Sequence, residues 1–438
     1  MCNAAANLFC RSVCRECTVY ADSWLIALIF VCILTVAFAY TGYPVLVFLL
    51  AKLFGRSAQP IDSPVDRLPF VSLLIAAHNE QSVIEQRLRN ALGQDYPEDK
   101  FEIVIASDGS TDDTNAIVRR MATLGGPTIR LIDFPNNSGK ASVLDKSMAQ
   151  LRGEIVVLSD ANTAMRSDAI RRLVSWFPDP AVGVVCGRLV MTDPVTGNNV
   201  DSLYWKYETF LKKCESRLGA LLGSNGAIYA IRKNLIPSIP RGTVLDDFYI
   251  PLEAKRQSGC RIVYDSHAVA CEETAHNIGA EFQRRVRIGA GGFQSIGLLW
   301  SLLSPAHGWI SLSFLCHKLL RWLCPFLLVI AFLANFFALD FAIGRAVMAA
   351  QLAGYALALI GTRVPDTPRF LRFLRLPSMF VAMNAALFVG FFKWSMGKES
   401  GVWKCTGRSH ADGLQFATTF ATSAGSGQAR ELADGSMA

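Results

Sequence analysis

Residues 155–163, I-V-V-L-S-D-A-N-T, are the stretch of sequence that decides the fold. A continuous apolar run of this kind is typical of a strand that is buried on both faces of a parallel sheet. The run ends at Asp160, and Asn162 follows two positions later. Because open α/β sheets bind ligands just outside the carboxyl ends of their strands, the stretch predicts two oxygen ligands at such an edge. A strand followed by an ordinary Asx turn explains this stretch equally well when it is taken alone.

The composition predicts a chain that is partly embedded in a membrane. It has 438 residues, too many for one hydrophobic core, and 51% of them are hydrophobic, which is more than in most soluble proteins. The net charge of +7 is modest, and the sequence has no dense basic stripe with interleaved aromatic residues. We therefore expect a lipid bilayer as a partner and no nucleic acid.

The sequence has 12 cysteines, and four of them precede residue 18. Cys14 and Cys17 form a C-x-x-C pair, but no second pair follows at zinc-finger spacing. A tail in solvent or at the membrane surface is therefore favoured over a metal site, and an oxidising compartment would permit a disulfide there.

Nearly uncharged segments lie at both ends of the chain. Residues 24–52 are long enough to cross a bilayer once, with a bend near Pro44, and Lys52 and Arg56 follow as in a stop-transfer sequence rather than a signal peptide. Residues 319–339, 342–360 and 376–392 predict three further spans, and residues 295–303 are expected at the membrane interface. Arginines at positions 363 to 375 predict a cytoplasmic loop between the last two spans.

The region between these ends has the alternating pattern of an α/β fold. Apolar runs predict strands at residues 70–77, 102–107, 128–134, 154–159 and 182–186. Amphipathic segments predict helices at residues 81–92, 114–122, 140–151 and 201–218. Strands that alternate with helices in this way form βαβ units, so we expect a mostly parallel sheet.

Polar residues follow each of the first four predicted strands, which indicates a nucleotide-type pocket. No G-x-G-x-x-G follows the first strand, and Gly139-Lys140 lacks the other residues of a P-loop, so two common modes of nucleotide binding are excluded. A pocket rich in carboxylates instead suggests phosphates that are held through Mg²⁺ or Mn²⁺.

These motifs, in this order, resemble the membrane-integrated family 2 glycosyltransferases of the GT-A fold, which include the cellulose, chitin and hyaluronan synthases. The similarity runs from about residue 69 to 294, and more weakly to Trp403. The matching motifs are A-A-H-N-E at 76–80, D-G-S at 108–110, N-S-G-K-A-S-V-L-D at 137–145, D-A-N at 160–162 and T-V-L-D-D at 243–247.

The resemblance implies a set of donor-binding residues and a metal site. The implied donor contacts include Ala77, Asn79, Glu80, Asp108, Ser110, Lys140 and Asp160. Asp160 and Asn162 correspond to the metal-binding D-x-D motif, so Mg²⁺ or Mn²⁺ is the expected cofactor. Asn162 replaces the second aspartate, which keeps an oxygen ligand but removes a charge and predicts weaker metal binding.

Asp247 corresponds to the catalytic base of the family, and Asp246 precedes it. A carboxylate within hydrogen-bond reach can take the proton of an acceptor hydroxyl as that hydroxyl attacks the anomeric carbon. The alternative is that the two acids simply favour the N-terminus of a helix at residues 248–255.

The segment R-R-V-R-I-G at residues 284–289 occupies the position of the family's Q-x-x-R-W motif. Arg284 aligns with the glutamine, Arg287 with the arginine and Ile288 with the tryptophan, while Arg285 and Arg287 would clamp the diphosphate. A basic helix at the membrane surface is the alternative, and both can hold. Because Ile288 cannot stack on an acceptor sugar as tryptophan does, the substitution argues against long polymerisation.

Two further segments complete the resemblance. Gly223, Ser224 and Asn225 resemble the acceptor-side turn, although a plain turn is equally consistent with their composition. Trp403, Thr406 and Arg408 resemble the W-x-x-T-x-R gating segment. One span before the catalytic domain and three after it would put this segment on the wrong side of the membrane. Either one span is re-entrant or interfacial, or residues 295–316 add a crossing.

The sequence thus predicts a tail (1–22), a transmembrane helix (23–53), a linker (54–69), a cytosolic GT-A domain (70–294), interfacial and transmembrane helices (295–395), and a tail whose end is disordered (396–438). The expected activity is inverting transfer of a sugar from a nucleotide sugar, UDP-linked by resemblance, to a membrane glycan or a lipid-linked acceptor. The expected location is the inner or plasma membrane. The alternatives are a processive polysaccharide synthase with coupled translocation and a catalytically silent membrane scaffold.

Overall fold

The computed structural model describes residues 24–56, 59–192, 203–273, 278–363 and 375–398. These form two compact units. The α/β unit comprises the described residues of 46–280, 291–314 and 396–398, and the helical unit comprises those of 24–45, 281–290 and 315–395. The N-terminal cysteines and the predicted gating residues Trp403, Thr406 and Arg408 lie outside the described residues.

The α/β unit is built on one sheet of eight strands. These are β1 (Val71–Ala77), β2 (Phe101–Asp108), β3 (Thr128–Phe134), β4 (Ile155–Asp160), β5 (Ala164–Met165), β6 (Val182–Thr192), β7 (Tyr229–Arg232) and β8 (Arg261–Glu273). Their order across the sheet is β3-β2-β1-β4-β7-β6-β8-β5. Every residue of β1 and β2 is buried, as expected for central strands that are covered on both faces.

The register of the parallel strands brings three strand ends to one edge. β1 pairs in parallel with β2 and β4, so Ala77 lies opposite Ser107 and Ala76 lies opposite Asp160. β7 lies between β4 and β6 and pairs antiparallel with both, which makes the sheet mixed. The predicted strand at 182–186 is longer than expected, because β6 continues past an irregularity between Gly187 and Arg188.

The helices of the α/β unit follow the strands closely. They are α2 (Ile84–Leu92), α3 (Thr114–Met121), α4 (Lys140–Met148), α5 (Ala169–Val174), α6 (Leu203–Leu218) and α7 (Asp246–Ser258), counted after the N-terminal helix α1 (Trp24–Phe54). Helix α8 (Ile278–Leu298) follows β8, and a 3₁₀ turn at Trp300–Leu303 lies where an interfacial segment was expected.

Four helices in the described part of the chain are long and apolar enough to cross a membrane: α1, α9 (Trp309–Phe337), α10 (Ala342–Gly361) and α11 (Arg375–Ser395). The predicted count of one span near the N-terminus and three near the C-terminus agrees with them, although α9 begins ten residues before the predicted 319. A π-helical turn at Phe38–Gly42 directly precedes Pro44, whose missing N–H interrupts the regular hydrogen bonds of α1.

The amide nitrogen of a buried asparagine in the helical unit is hydrogen-bonded within the protein. Asn384 is almost completely buried, and its Nδ2 donates to the Phe380 carbonyl at 2.9 Å and to the Tyr40 hydroxyl at 3.4 Å. The ring of Tyr40 packs edge-on against that of Phe380, with centroids 5.1 Å apart. These contacts link α1 to α11. The amide nitrogen of Asn384 finds hydrogen-bond partners within the protein that lipid tails do not offer.

Candidate active site

The site of interest lies at the carboxyl ends of β1, β2 and β4 in the α/β unit. Ala77 is the fully buried last residue of β1, and the loop that follows contains His78, Asn79 and Glu80. Asn79 adopts a left-handed conformation with φ of 55°, and its Oδ1 accepts a hydrogen bond from the Thr111 amide at 2.8 Å. The Ser110 hydroxyl accepts from the Asn79 amide at 3.2 Å. The first two strand ends are therefore tied together.

Asp108 is buried, and its carboxylate is used to organise the next loop. Oδ1 accepts from the Ser138 amide at 2.7 Å and Oδ2 from the Gly139 amide at 2.8 Å, directly before α4 begins at Lys140. Gly109 has φ of 64°, and a Cβ there would lie 2.7 Å from the Asn137 nitrogen. Asp108 thus shapes the predicted donor pocket through the backbone of residues 138–139.

Glu80 contributes through its backbone as well, because its amide donates to Thr114 Oγ1 at 2.8 Å. His78 Nδ1 lies 2.7 Å from the Asp108 carbonyl, and Nε2 lies 3.1 Å from Asn137 Nδ2. In the tautomer that satisfies both contacts, Nδ1–H donates to the carbonyl and Nε2 accepts from the amide. The His78 ring therefore braces the loop after β2 against the loop after β3.

Lys140 lies among the carboxylates at the centre of the site. Its ammonium is 2.8 Å from Asp160 Oδ1 and 3.3 Å from Asp246 Oδ2, and only 16% of its side chain is exposed. Burial acts to lower the pKa of Lys140, but the charges of Asp160 and Asp246 outweigh it and raise that pKa above its ordinary value. A permanent cation is therefore held between two acidic side chains that are far apart in the sequence.

Asp247 lies beside this cluster, at the start of α7. Burial and the charge of Asp246 raise the pKa of Asp247 to about 6, against the opposing charge of Lys140 and with a further contribution from Asp160. The Gly226 amide donates to Asp247 Oδ2 at 3.0 Å. A Cβ on Gly226 would lie 3.4 Å from Asp160 Oδ2 and 3.5 Å from Asp247 Oδ2, so both oxygens border the same small space.

The predicted acceptor turn is attached to Asp247 by its backbone. Both the amide and the hydroxyl of Ser224 donate to the Asp247 carbonyl, at 3.0 and 2.8 Å. Gly223 has φ of 79°, and a Cβ there would lie 3.0 Å from the ring of Phe248. Asn225 donates to the Gly187 carbonyl at 2.8 Å, and its Oδ1 accepts from Lys212. The turn therefore lies next to Asp247, and Asn225 is already engaged within the protein.

Arg87 was not identified from the sequence, although its side chain supports the end of β4. Its side chain is almost fully buried and donates to the Asp160 carbonyl at 3.3 Å, to Ser159 Oγ at 3.1 Å and to Asn90 Oδ1 at 3.1 Å. Burial lowers the pKa of Arg87 to about 10, while the charge of Asp160 opposes that change. Nothing in an amphipathic helix pattern distinguishes this arginine from its exposed neighbour Arg89.

Tyr229 is a second residue that the sequence did not reveal. It is fully buried in β7, and its hydroxyl has no hydrogen-bond partner among the residues that the structure describes. Burial, followed by the charges of Asp246, Asp247 and Asp160, raises the pKa of Tyr229. The phenol therefore stays neutral and can donate a hydrogen bond toward the acidic cluster.

The residues present fit a divalent cation. Three carboxylates surround one ammonium group, which leaves an excess of negative charge, and the half-buried Asn162 has no hydrogen-bond partner within the described part of the chain. No group of three or more His, Cys, Asp or Glu residues in the described ranges forms a metal cage of protein ligands alone. An ion that keeps water and substrate oxygens as ligands needs only one or two carboxylates, as is usual for Mg²⁺.

The predicted diphosphate-binding arginines belong to the helical unit, in residues 281–290 of α8. Arg284 and Arg285 each form an ion pair with Glu281, with N–O distances of 2.8 Å. Arg287 is exposed and has no ion-pair partner among the described residues, and Ile288 is 40% exposed.

Comparison with known proteins identifies the family. The sequence model described as Glycosyl transferase family 2 matches residues 72–234, and the one described as Glycosyl transferase family group 2 matches residues 155–361. Together the two matches run from residue 72 to residue 361, so this part of the chain carries glycosyl transferase family 2 domains. The predicted family is therefore confirmed, and the matches include β1, β2, β4 and the acidic residues at their ends.

Two curated relatives of this chain carry related names. The poly-β-1,6-N-acetyl-D-glucosamine synthase of Staphylococcus aureus is 26% identical over 239 residues, which are 53% of this chain and 57% of that protein. The N-acetylglucosaminyltransferase of Bradyrhizobium diazoefficiens is 24% identical over 324 residues, 68% of this chain and 65% of that protein. The chain thus spans a little over half the length of the first of these relatives.

A solved structure shows the same fold. The mannosyltransferase from Pyrobaculum calidifontis, in complex with GDP-Man and Mn²⁺, superposes with a TM-score of 0.65 at 24% identity, covering 85% of this chain and all of that one. The predicted GT-A fold is confirmed, with a mixed sheet and candidate transmembrane helices near both ends.

Proposed function

We propose that this chain transfers a sugar from a nucleotide sugar to a hydroxyl group of a membrane-associated glycan or lipid-linked acceptor, with inversion at the anomeric carbon. The observation that carries the proposal is the position of Asp247, whose Oδ2 borders the same space as Asp160 Oδ2 beside Gly226. The names of the two relatives make UDP-N-acetylglucosamine the first donor to test.

The proposed reaction is a single displacement. The acceptor oxygen forms a bond to the anomeric carbon while the bond from that carbon to the diphosphate oxygen breaks. The leaving nucleoside diphosphate takes the bonding electrons, and the acceptor proton moves to Asp247. A carboxylate with a pKa raised to about 6 is mostly ionised at pH 7 and is a stronger base than an ordinary aspartate.

The remaining residues of the cluster position the donor. Asp160 and Asn162 would hold Mg²⁺ or Mn²⁺, which supplies positive charge to the departing diphosphate. Lys140 holds Asp160 in place and adds a second positive charge to the site. Ala77, Asn79, Glu80, Asp108 and Ser110 form the proposed nucleoside pocket through the backbone contacts described above.

Residue 288 favours a small number of sugar additions over long polymerisation. Ile288 stands where the processive synthases that this sequence resembles carry a tryptophan, and it presents no aromatic ring to an acceptor sugar. Arg284, Arg285 and Arg287 are proposed to contribute to diphosphate binding. We further propose that the α/β unit faces the cytosol of an inner or plasma membrane, where nucleotide sugars are made.

The test uses the full chain in lipid nanodiscs with a native lipid extract, Mg²⁺ or Mn²⁺, and a panel of radiolabelled nucleotide sugars. Asp247→Asn should reduce turnover by about 10²–10⁴-fold because the general base is lost. Asp66→Asn, which removes the same charge at an exposed position, should leave turnover unchanged. The kcat/KM of the wild type should fall as the pH drops through about 6.

Three outcomes contradict parts of the proposal. Absence of turnover with every donor would favour a catalytically silent scaffold. Equal turnover of wild type and Asp247→Asn would show that Asp247 is not the general base. Long products from single binding events would favour a processive synthase, despite the residue at position 288.

A further inference from the structure

A second polar cleft lies in the α/β unit, away from the carboxylate cluster. It has a volume of about 270 Å³ and is lined by Phe54, Arg56, Arg217, Leu218, Gly219, Lys255, Arg261 and Trp309. Lys255 lies near the end of α7, eight residues after Asp247, which is about 12 Å along the helix axis. The cleft therefore has its own lining residues and is separate from the proposed catalytic centre.

Four cationic side chains line the cleft, and the described residues neutralise only part of their charge. Arg56 and Arg217 have no side-chain hydrogen bond or ion pair among the residues that the structure describes, and the Arg56 amide donates to the Arg217 carbonyl at 2.8 Å. The Arg261 guanidinium lies 3.8 Å from the Asp179 carboxylate. Burial lowers the pKa of Lys255; Cys260 opposes this shift and the charge of Arg261 adds to it.

Cations at helix C-termini are often explained by the helix dipole alone, and Arg217 and Lys255 are in the last turns of α6 and α7. That explanation does not account for Arg56, which lies outside any helix, two residues after the end of α1. Nor does it account for a cleft into which cations from three separate segments converge. Such a convergence of guanidinium groups is suited to a phosphate, whose oxygens match the geometry of arginine.

The aromatic residues of the cleft place it at the level of a membrane surface. Phe54 is the last residue of the first candidate span, and Trp309 is the first residue of the second. Their rings lie against each other with centroids 5.6 Å apart. Tryptophan is enriched at the level of lipid headgroups, so Trp309 at the start of a candidate span places the cleft at the depth of lipid phosphates.

We propose that this cleft binds the headgroup phosphate of an anionic phospholipid. Arg56 and Arg217 contact the phosphate oxygens, Lys255 and Arg261 add positive charge, and Phe54 and Trp309 pack against the apolar part of the lipid. The bound lipid links the end of α1 to α6 and α7. The proposal does not depend on the catalytic function, because its test measures lipid binding alone.

The experiment is a titration of the full chain in neutral detergent with phosphatidylglycerol, followed by native mass spectrometry. The Arg56→Gln/Arg217→Gln variant should bind phosphatidylglycerol roughly 10- to 30-fold more weakly than the wild type, given the usual contribution of a basic residue near an anionic membrane surface. The matched control is Arg67→Gln/Arg152→Gln, which removes the same charge at two positions outside the cleft. The control should bind like the wild type.

Separate titrations distinguish a lipid phosphate from a soluble one. Phosphatidylcholine, sn-glycerol 3-phosphate and inorganic phosphate should each bind more weakly than phosphatidylglycerol. Inorganic phosphate that binds as tightly as phosphatidylglycerol would overturn the assignment to a lipid. Equal loss of lipid in the cleft variant and its control would overturn the cleft as the site.

A second experiment uses the wild-type chain, so its result does not depend on whether the cleft variant folds. A phosphatidylglycerol analogue with a photoreactive headgroup should label peptides that contain Arg56, Arg217 or Trp309. Excess phosphatidylglycerol should prevent this labelling, and phosphatidylcholine should not. Labelling that is confined to other segments would contradict the proposal.

Discussion

Replacement of Asp247 by asparagine should make the protein more stable at neutral pH while it removes the proposed base. Burial and the charge of Asp246 raise the pKa of Asp247 from its ordinary 3.8 to about 6, despite the neighbouring Lys140. The rise corresponds to a free-energy cost of about 3 kcal/mol for the ionised carboxylate in the folded protein. Asparagine has the same shape and can accept the hydrogen bond from the Gly226 amide, so we expect a gain of about 1–3 kcal/mol.

The sign of the pH dependence follows from the direction of this pKa shift. Well below pH 3.8 the carboxyl group of Asp247 is protonated in both the folded and the unfolded chain, and the cost is absent. As the pH rises toward 6, the unfolded chain loses this proton while the folded protein retains it, so the wild type becomes progressively less stable. The advantage of the asparagine variant should therefore grow with pH and be complete above about 6.

The assay compares thermal midpoints of the wild type, Asp247→Asn and Asp66→Asn in one detergent and metal-free buffer, at pH 5 and pH 8. Asp247→Asn should have a higher midpoint than the wild type at pH 8 and a smaller advantage at pH 5. Asp66→Asn should match the wild type at both, because Asp66 is exposed. An Asp247→Asn variant that is less stable than the wild type at pH 8 would refute the reasoning, since it would mean that the native state stabilises the ionised carboxylate.

Three further substitutions test other parts of the site. Arg87→Lys should lower the free energy of unfolding by about 2–3 kcal/mol, because a single ammonium nitrogen cannot replace the three guanidinium nitrogens that each bond a different acceptor. Arg89→Lys on the exposed face of the same helix should lower it by less than about 0.5 kcal/mol. Chemical denaturation measures both free energies, and equal losses would contradict the supporting role of Arg87. Gly109→Ala should lower the free energy of unfolding by about 3 kcal/mol, because its φ is positive and its Cβ would meet the next loop. Gly125 also has a positive φ but has open space around it, so Gly125→Ala should lower the free energy of unfolding by about 1 kcal/mol. Asn162→Asp introduces a second carboxylate and should lower the Mn²⁺ concentration needed for half-maximal donor binding in equilibrium dialysis. An unchanged Mn²⁺ dependence would show that residue 162 does not bind the metal.

The parallel half of the sheet was predictable from local patterns, most clearly for β1, β2 and β4, which are mainly apolar and buried. The edge strand β3 (T-I-R-L-I-D-F) is only partly buried. The observed bounds of all four strands lie within one residue of the predicted ones. The antiparallel strands have weaker local signals. β7 has only four residues, and β8 contains the polar stretch Asp265-Ser266-His267 beside the irregular pairing with β6. Neither strand was predicted, because the features that define them are pairings with distant segments.

The acidic residues of the site were found because motif order identifies them without any coordinates. Asp160 and Asp247 were both named from the sequence, and the structure brings their side chains to one space beside Gly226. The position of Arg87 could not be read in the same way. Its helix has an ordinary amphipathic pattern, and only the packing of α2 against the end of β4 makes that arginine a buried ligand of the Asp160 backbone.

The sequence by itself determined the resemblance to family 2 glycosyltransferases, the positions of the parallel strands along the chain and the number of apolar spans in the described chain, because each depends on local residue patterns. Tertiary structure alone decided how the polar groups of the site are used. It assigns the carboxylate of Asp108 to the loop before α4, and it places Lys140 between Asp160 and Asp246. The raised pKa of Asp247 follows from that arrangement, since burial and the distances between charges depend on residues that are remote in sequence.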